Sequence, residues 1–434
     1  MSLLRHLASM LKLGSIGFGG GSAMIPVFEK ELVQDRRVLD EETFIRHTVI
    51  ANVTPGGLPT KLAALSGFTV AGTPGSVLSS VAAGLPGTLL AVTIIAFFGV
   101  LGGDAIRWVE YAAVGVSAFI ILLLAKYIAK VWRVSGTART LTIAITLATF
   151  AASGLNQFVE VLGLLVGQEW SPTLPRMDAI QVILVALALI GVVIVLRRPT
   201  PLPLPPSLGD PARVRRHLVG GAVFTALTGV AIGMSGLVAG RDGAELMALI
   251  ALSMLATFGG GPAYIAVADG FFVGPFVTSE VFYGQLVPVG NATPGPLITK
   301  LAALVGFSHG MEVSVLAGVV LAASGLVVAA TVSGAVAMFV MGGYEKVAGR
   351  GYMRRLQTYI VPVICGLLIT TALSMTLAAV AIGGRAGVAA TPMVWAMAAL
   401  VGVMVAVHAR VNLPDVVFIL AGGAISVAAL GLVG

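Results

Sequence analysis

This chain is poor in charge. Asp, Glu, Lys and Arg make up 10% of its residues and hydrophobic residues 57%, a balance that excludes an ordinary soluble domain. The one cysteine, Cys365, lies inside an apolar run, so neither a disulfide framework nor a thiolate metal cluster is available. His6, His47, His217, His309 and His408 stand at no ligand spacing, and no metal or other cofactor is expected. No nucleophile–base pair or phosphate-cradling nucleotide loop argues for an enzyme. Aromatic residues are 7%, and no basic stretch is interleaved with them. The net charge of +7 therefore reads as Lys and Arg in the cytoplasmic loops of a membrane protein, not as a nucleic-acid surface.

What the chain has is long apolar runs, each near the ~20 residues that a membrane helix needs. They cover 77–101, 109–131, 177–196, 218–239, 313–341, 359–382 and 388–407. The expected fold class is an all-α polytopic membrane protein. Arg5 followed by apolar residues resembles a signal peptide. Its downstream end, however, is a motif that returns later, so cleavage would destroy one copy, and the segment is expected to be retained.

Residues 52–68 come back at 291–307 with identity at 13 of 17 positions. A second motif precedes each copy: Phe18, Gly19, Gly20 and Gly21 in the first half, and Phe258, Gly259, Gly260 and Gly261 in the second. Two motifs in one order at one spacing indicate a duplicated unit. The expected organisation is a first repeat over 1–196, a Pro- and Arg-rich linker over 197–216, a linking span over 217–240 and a second repeat over 241–434. Each Thr-Pro-Gly opens a short apolar helix, the half of a broken pair, and residues 72–75 turn the first into a long span.

Loop charge orients the chain. Lys126, Lys130, Arg133 and Arg139 place one loop in the cytoplasm, as do the linker arginines and Lys346, Arg350, Arg354 and Arg355. The acidic segment 155–178 faces outward. If the short helices count as crossings, there are six spans, one linking span and six more. The N-terminus is then cytoplasmic and the two repeats are inverted, a plan that in secondary transporters sets the binding site at the repeat interface.

The local chemistry favours an anion. Thr54 or Asn52 can cap the short helix, and Pro55 suits its first turn. A helix start offers free N–H groups and a positive dipole end to an oxyanion. Thr60 and Lys61 follow, with Gly56 in the turn, and Asn291, Thr293, Gly295, Thr299 and Lys300 repeat the set. The glycine triplets let backbone approach a ligand. Alternatives stand beside this: a lysine near a helix end snorkels to headgroups, and glycines permit close helix packing. Glu29 and Asp269, 240 residues apart, are equivalent and are candidates for proton coupling, for neutralising the lysines, or for plain solvation.

These motifs, Phe18–Gly21 and Phe258–Pro262 with Thr54–Gly57 and Thr293–Pro296, resemble the chromate ion transporter (CHR) family in its two-domain form. The resemblance covers roughly 50 residues of each half and implies a carrier of chromate, related to sulfate handling, in the cytoplasmic membrane. It further implies efflux driven by the membrane potential or a proton gradient. Family members often carry Asn or Gln where Lys61 and Lys300 stand, and a His where this chain has Met24 and Tyr264. Expected partners are the oxyanion, the lipid bilayer and, as one arrangement open to such a fold, a second copy in a homodimer. An anion channel is the competing function.

Overall fold

The computed structural model describes residues 2–16, 24–177, 179–196, 211–258, 261–343, 352–411 and 413–433. Helix dominates throughout, as expected where no water is present to satisfy an open backbone. In chain order the helices are α1 (Leu3–Ile16), α2 (Ile25–Glu29), α3 (Glu41–Val53), α4 (Leu58–Val134), α5 (Arg139–Ser153), α6 (Leu155–Leu165), α7 (Ala179–Leu196), α8 (Pro211–Ala256) and α9 (Gly261–Phe272). There follow α10 (Ser279–Val281), α11 (Val287–Ala292), α12 (Leu297–Met311), α13 (Val315–Gly342), α14 (Tyr352–Arg385), α15 (Ala390–Arg410) and α16 (Asp415–Gly431). A π-helical turn, Lys30–Asp35, continues α2, and another, Phe282–Leu286, joins α10 to α11.

Among the described residues, six helical stretches are long and apolar enough to cross a membrane, seven if the bent pair α5–α6 counts as one. The sequence-based count of thirteen includes the short helices as crossings, and these fall below that length. At 15 residues α12 rises only about 22 Å, less than the ~30 Å hydrocarbon layer. The glycines Gly19, Gly20, Gly21, Gly259 and Gly260, most of the linker, and Lys346 and Arg350 lie outside the described residues.

The chain packs as two compact units, and each draws on both halves of the sequence. The first comprises residues 1–92, 186–264 and 293–360. Two helical hairpins organise it. In α4 the chain reverses at Gly72 (φ +63°), where the turn was expected. The two arms then touch backbone to backbone, so that a Cβ on Gly67 would lie 2.3 Å from the Gly75 carbonyl oxygen. Ser76 Oγ donates across the hairpin to the Ala64 carbonyl at 2.8 Å. In the second repeat α12 returns through α13 in the same way. A Cβ on Gly306, the counterpart of Gly67, would lie 2.5 Å from Leu321 O. In α8 a break at Ala239 and Gly240 divides the linking span from the helix that leads to the second glycine motif. Ile50, Leu65, Phe224 and Met338 pack α3, α4, α8 and α13 around one apolar cluster. Met10, Phe28, Phe44 and Leu62 bring α1 and α2 onto α3 and α4 in another.

The second unit comprises residues 93–185, 265–292 and 361–434. The expected continuation of α5 does not run straight, for α5 and α6 meet at an 80° bend by Gly154. Asn156 anchors the following loop, its Oδ1 accepting the Leu174 N–H at 3.0 Å. Close helix approach at Gly115 and Gly422 and stacking of Phe119 on Phe418 hold α4 to α16. Arg385 bridges Glu110 at 2.9 Å and Glu280 at 3.2 Å.

Candidate functional site

The first unit holds the first Asn-x-Thr-Pro-Gly motif whole and the second from Thr293 onward. α3 starts on an Asp40 cap, whose Oδ1 accepts the Thr43 N–H at 2.7 Å, and runs to Val53. It stops there because Pro55 has no N–H and drives Thr54 into extended backbone (φ −104°, ψ 153°). Gly56 then takes φ +95°, a conformation that glycine alone adopts without strain. α4 begins two residues later, at Leu58.

Such a break strands the last carbonyls of α3, and the motif's own side chains take them up. Thr54 Oγ1 donates to Ile50 O at 2.7 Å, while Asn52 Nδ2 adds a bond at 2.9 Å to Thr48 O, a carbonyl still inside the helical ladder. Both residues therefore point backward onto α3 rather than capping α4, which corrects the sequence expectation. Pro55 likewise lies in the break and not in the first turn. The lysine completes the set: Lys61 Nζ donates to Thr54 O at 2.7 Å, and to Thr54 Oγ1 and Pro55 O at 3.2 Å each. All three protons of the ammonium have acceptors.

The second copy has the same anatomy. Gly295 has φ +97°. Asn291 Nδ2 donates to Val287 O at 2.8 Å, and Lys300 Nζ donates to Thr293 O. Thr60 and Thr299 bond to the carbonyls of Gly57 and Pro296 at 2.8 and 3.0 Å. Lys61 is 1% exposed and Lys300 2%, so neither reaches toward headgroups, and the snorkelling alternative is excluded for this conformation. Among the described residues no carboxylate pairs with either lysine. Two buried lysines thus rest on neutral oxygens, the carbonyls of Thr54, Pro55 and Thr293 and the Thr54 hydroxyl. By helix geometry the N–H groups of Leu58 and Thr60, and of Leu297, Ile298 and Thr299, have no acceptor within their own helices.

The bracing of the two breaks is crossed. Gly56 N–H donates to Thr257 O, at the end of α8 just before the second glycine motif, at 2.9 Å. Gly57 N–H donates to Ser333 Oγ of α13 at 3.0 Å. The second break leans on the first repeat instead. A Cβ on Gly295 would stand 2.8 Å from the carbonyl oxygen of Gly14 in α1, and one on Gly87 of α4 would stand 2.0 Å from Pro294 O. Each Thr-Pro-Gly turn therefore contacts the helix that precedes the other copy's glycine motif. Gly261, the one triplet glycine placed on the second side, opens α9. Gly14 and Thr257 were not foreseen, nor were Ser333 and Gly87, which sit in apolar runs that mark no particular face.

The coupling candidates do not behave as a pair. Glu29 ends α2, half-buried, and neutralises neither lysine. The carboxylate tied down nearby is Glu31, which accepts from Ser9 Oγ at 2.9 Å, Arg36 Nε at 3.1 Å and Lys12 Nζ. Burial alone would raise its pKa, but those hydrogen bonds and the Lys12 charge outweigh burial and hold it below the usual glutamate value. Asp269 belongs to the second unit and lies near Tyr283 and Arg176.

Comparison with known proteins finds relatives that are named as transporters. A curated Bacillus subtilis protein called an uncharacterized transporter is 38% identical over 99 residues, 23% of this chain and 50% of its own length. A probable chromate transport protein of Synechococcus elongatus is 32% identical over 124 residues, 29% of this chain and 31% of its own length. The chain thus spans half or less of these two relatives. A chromate transport protein of Pseudomonas aeruginosa is 27% identical over 323 residues, 67% of this chain and 74% of its own. No solved structure matches. The family model described as chromate transporter matches residues 4–204 and 244–427, both halves of the duplication, and the chain belongs to that family.

Proposed function

We propose that this protein is a secondary active transporter of a tetrahedral oxyanion. Chromate is the first candidate and sulfate, of like shape and charge, the second. The observation that carries the reading is the pair of buried lysines, each tethered to a broken helix and neither neutralised by a carboxylate. Placing a lysine in the middle of a membrane helix is unfavourable by about 2.5–3.5 kcal/mol on insertion scales. Two equivalent ones without counter-ions leave a positive region into which a dianion fits.

The hydrogen bonds suggest how binding changes the protein. An oxyanion reaching Lys61 competes with Thr54 O and Pro55 O for the same ammonium protons, and one at Lys300 competes with Thr293 O. Charge-assisted bonds to an ionised acceptor are roughly twice as strong as those to a neutral carbonyl. Binding therefore releases the end of α3 or α11 and alters the break. Leu58, Thr60 and Lys61 are all buried, which fits an occluded carrier better than a standing pore. The membrane is the cytoplasmic one, with the N-terminus inside and the repeats inverted. The direction is efflux.

The test is uptake of labelled chromate and labelled sulfate into proteoliposomes under imposed ion gradients. Saturable, gradient-dependent flux is expected. Single-channel currents without coupling would replace this reading with an anion channel, and absence of both would refute it.

A further inference from the structure

We propose that the second unit carries a site for a small monovalent cation, proton or Na⁺, formed by Asp269 and Tyr283 and reached through an open pocket. As the site of coupling it rests on the transport reading above.

Tyr283 is 2% exposed, yet its hydroxyl has no hydrogen-bond partner of ordinary length. A buried hydroxyl left in that state is unfavourable by about 1–3 kcal/mol unless a water or ion completes it. The groups around it are oxygens: the Asp269 carboxylate of α9, and the Thr371 and Ser374 hydroxyls of α14. Tyr283 itself sits in the π-helical turn Phe282–Leu286, an irregularity often found at functional sites.

A pocket of about 580 Å³ lies beside this cluster and shares Ser374 with it. It also shares Arg176, whose positive charge acts on the Asp269 carboxylate. Gln157 lines the same pocket, and its Oε1 is a second buried acceptor without a partner. The other charged groups at the pocket are Glu160 of α6 and Glu280 of α10, the latter paired with Arg385. Carboxylates, hydroxyls and an amide oxygen outnumber the single guanidinium, so the lining suits a cation and not an oxyanion. A proton entering from pocket water ends on an Asp269 carboxyl oxygen, with the Ser374 and Tyr283 hydroxyls along the way. A sodium ion takes the same oxygens as ligands, and Arg176 stabilises the carboxylate when the site is empty.

The test uses the full chain. Infrared difference spectra on changing pH record the carbonyl stretch of protonated carboxyl groups. Asp269→Asn is expected to remove one titrating band, and Tyr283→Phe, which deletes only the hydroxyl, to shift its midpoint. Suppression of that band by Na⁺ in the unmodified protein identifies sodium as an occupant; indifference to Na⁺ identifies the proton. In proteoliposomes Asp269→Asn is expected to lose gradient-driven oxyanion flux by about tenfold, equivalent to ~1.4 kcal/mol, with oxyanion binding unchanged. Loss of the band in a protein that moves no oxyanion would sink the transport reading and leave the cation site standing. Infrared titrations unaltered by Asp269→Asn, or gradient-driven flux unaltered by it, would overturn the proposal.

Discussion

Replacing Lys61 with Met separates a binding lysine from a purely structural one. Methionine matches the stem in length and removes the charge. Without the ammonium, the carbonyls of Thr54 and Pro55 lose their donor, at about 1–3 kcal/mol per unsatisfied buried group. Against this, the membrane penalty of roughly 2.5–3.5 kcal/mol for the lysine disappears, so the variant should fold with nearly unchanged thermal stability. Binding behaves differently. A unit charge 4 Å from another interacts by about 4 kcal/mol at an effective dielectric of 20. A dianion would gain up to twice that from Lys61, less its own desolvation and the carbonyl bonds surrendered. A residual of only ~1.4 kcal/mol still weakens binding tenfold. Equilibrium dialysis of labelled chromate and sulfate against purified protein measures it, and Lys300→Met should repeat the result. Two single variants that bind both anions with full affinity would reduce the lysines to clamps on the broken helices and move the site elsewhere.

Gly56→Ala and Gly295→Ala should each lower the melting temperature and abolish flux, because a side chain at φ +95° or +97° is strained by about 1–3 kcal/mol and also overlaps Ser333 Oγ or Gly14 O; unchanged melting would show that the breaks relax freely. Glu31 should make stability depend on acid. Its folded pKa lies below the ordinary value, so its contribution is present above that value and disappears as the pH falls through the folded pKa. Melting of Glu31→Gln should therefore be flatter than the parent's below about pH 4.3, and parallel curves would dismiss the ion-pair cluster as a stabilising element. Cysteines introduced at Ser135 and Gly349 should react with an impermeant thiol reagent from the cytoplasmic side only, and one at Gln168 from outside only. Labelling at Gly349 from outside would end the inverted topology.

Much of the site was legible in the sequence because its cause is local. Pro55 and Gly56 favour a helix break, and their exact return at Pro294 and Gly295 marks the second one, although Pro86 and Gly87 stand inside α4 without ending it. The direction of the lysines was not legible. Spacing places Lys61 near the start of a helix, but the choice between headgroup, ligand and the carbonyls of Thr54 and Pro55 is tertiary. The crossed braces were hidden for a related reason. Helices apolar on every side carry no preferred face, so nothing distinguishes Ser333 or Gly87 from neighbours one turn away. The bend at Gly154 escaped because hydropathy runs through it without interruption. The two packing units escaped as well, since each collects segments from both repeats and no linker marks their border.

The crossed bracing bears on how the protein is made. Gly56 waits for Thr257, which is 201 residues further along, and Gly57 waits for Ser333, 276 residues along. Gly295 rests against Gly14, 281 residues back. Contacts of such long range close late, after the chain has been threaded into the bilayer. Lys61 is therefore synthesised and inserted long before the helices that brace its break exist. Its hold on Thr54 and Pro55 is a contact of seven residues at most and can form at once. The same clamp that sets the finished geometry can thus shelter a charge in the membrane while translation continues, and the first break reaches its final form only after Ser333 has left the ribosome.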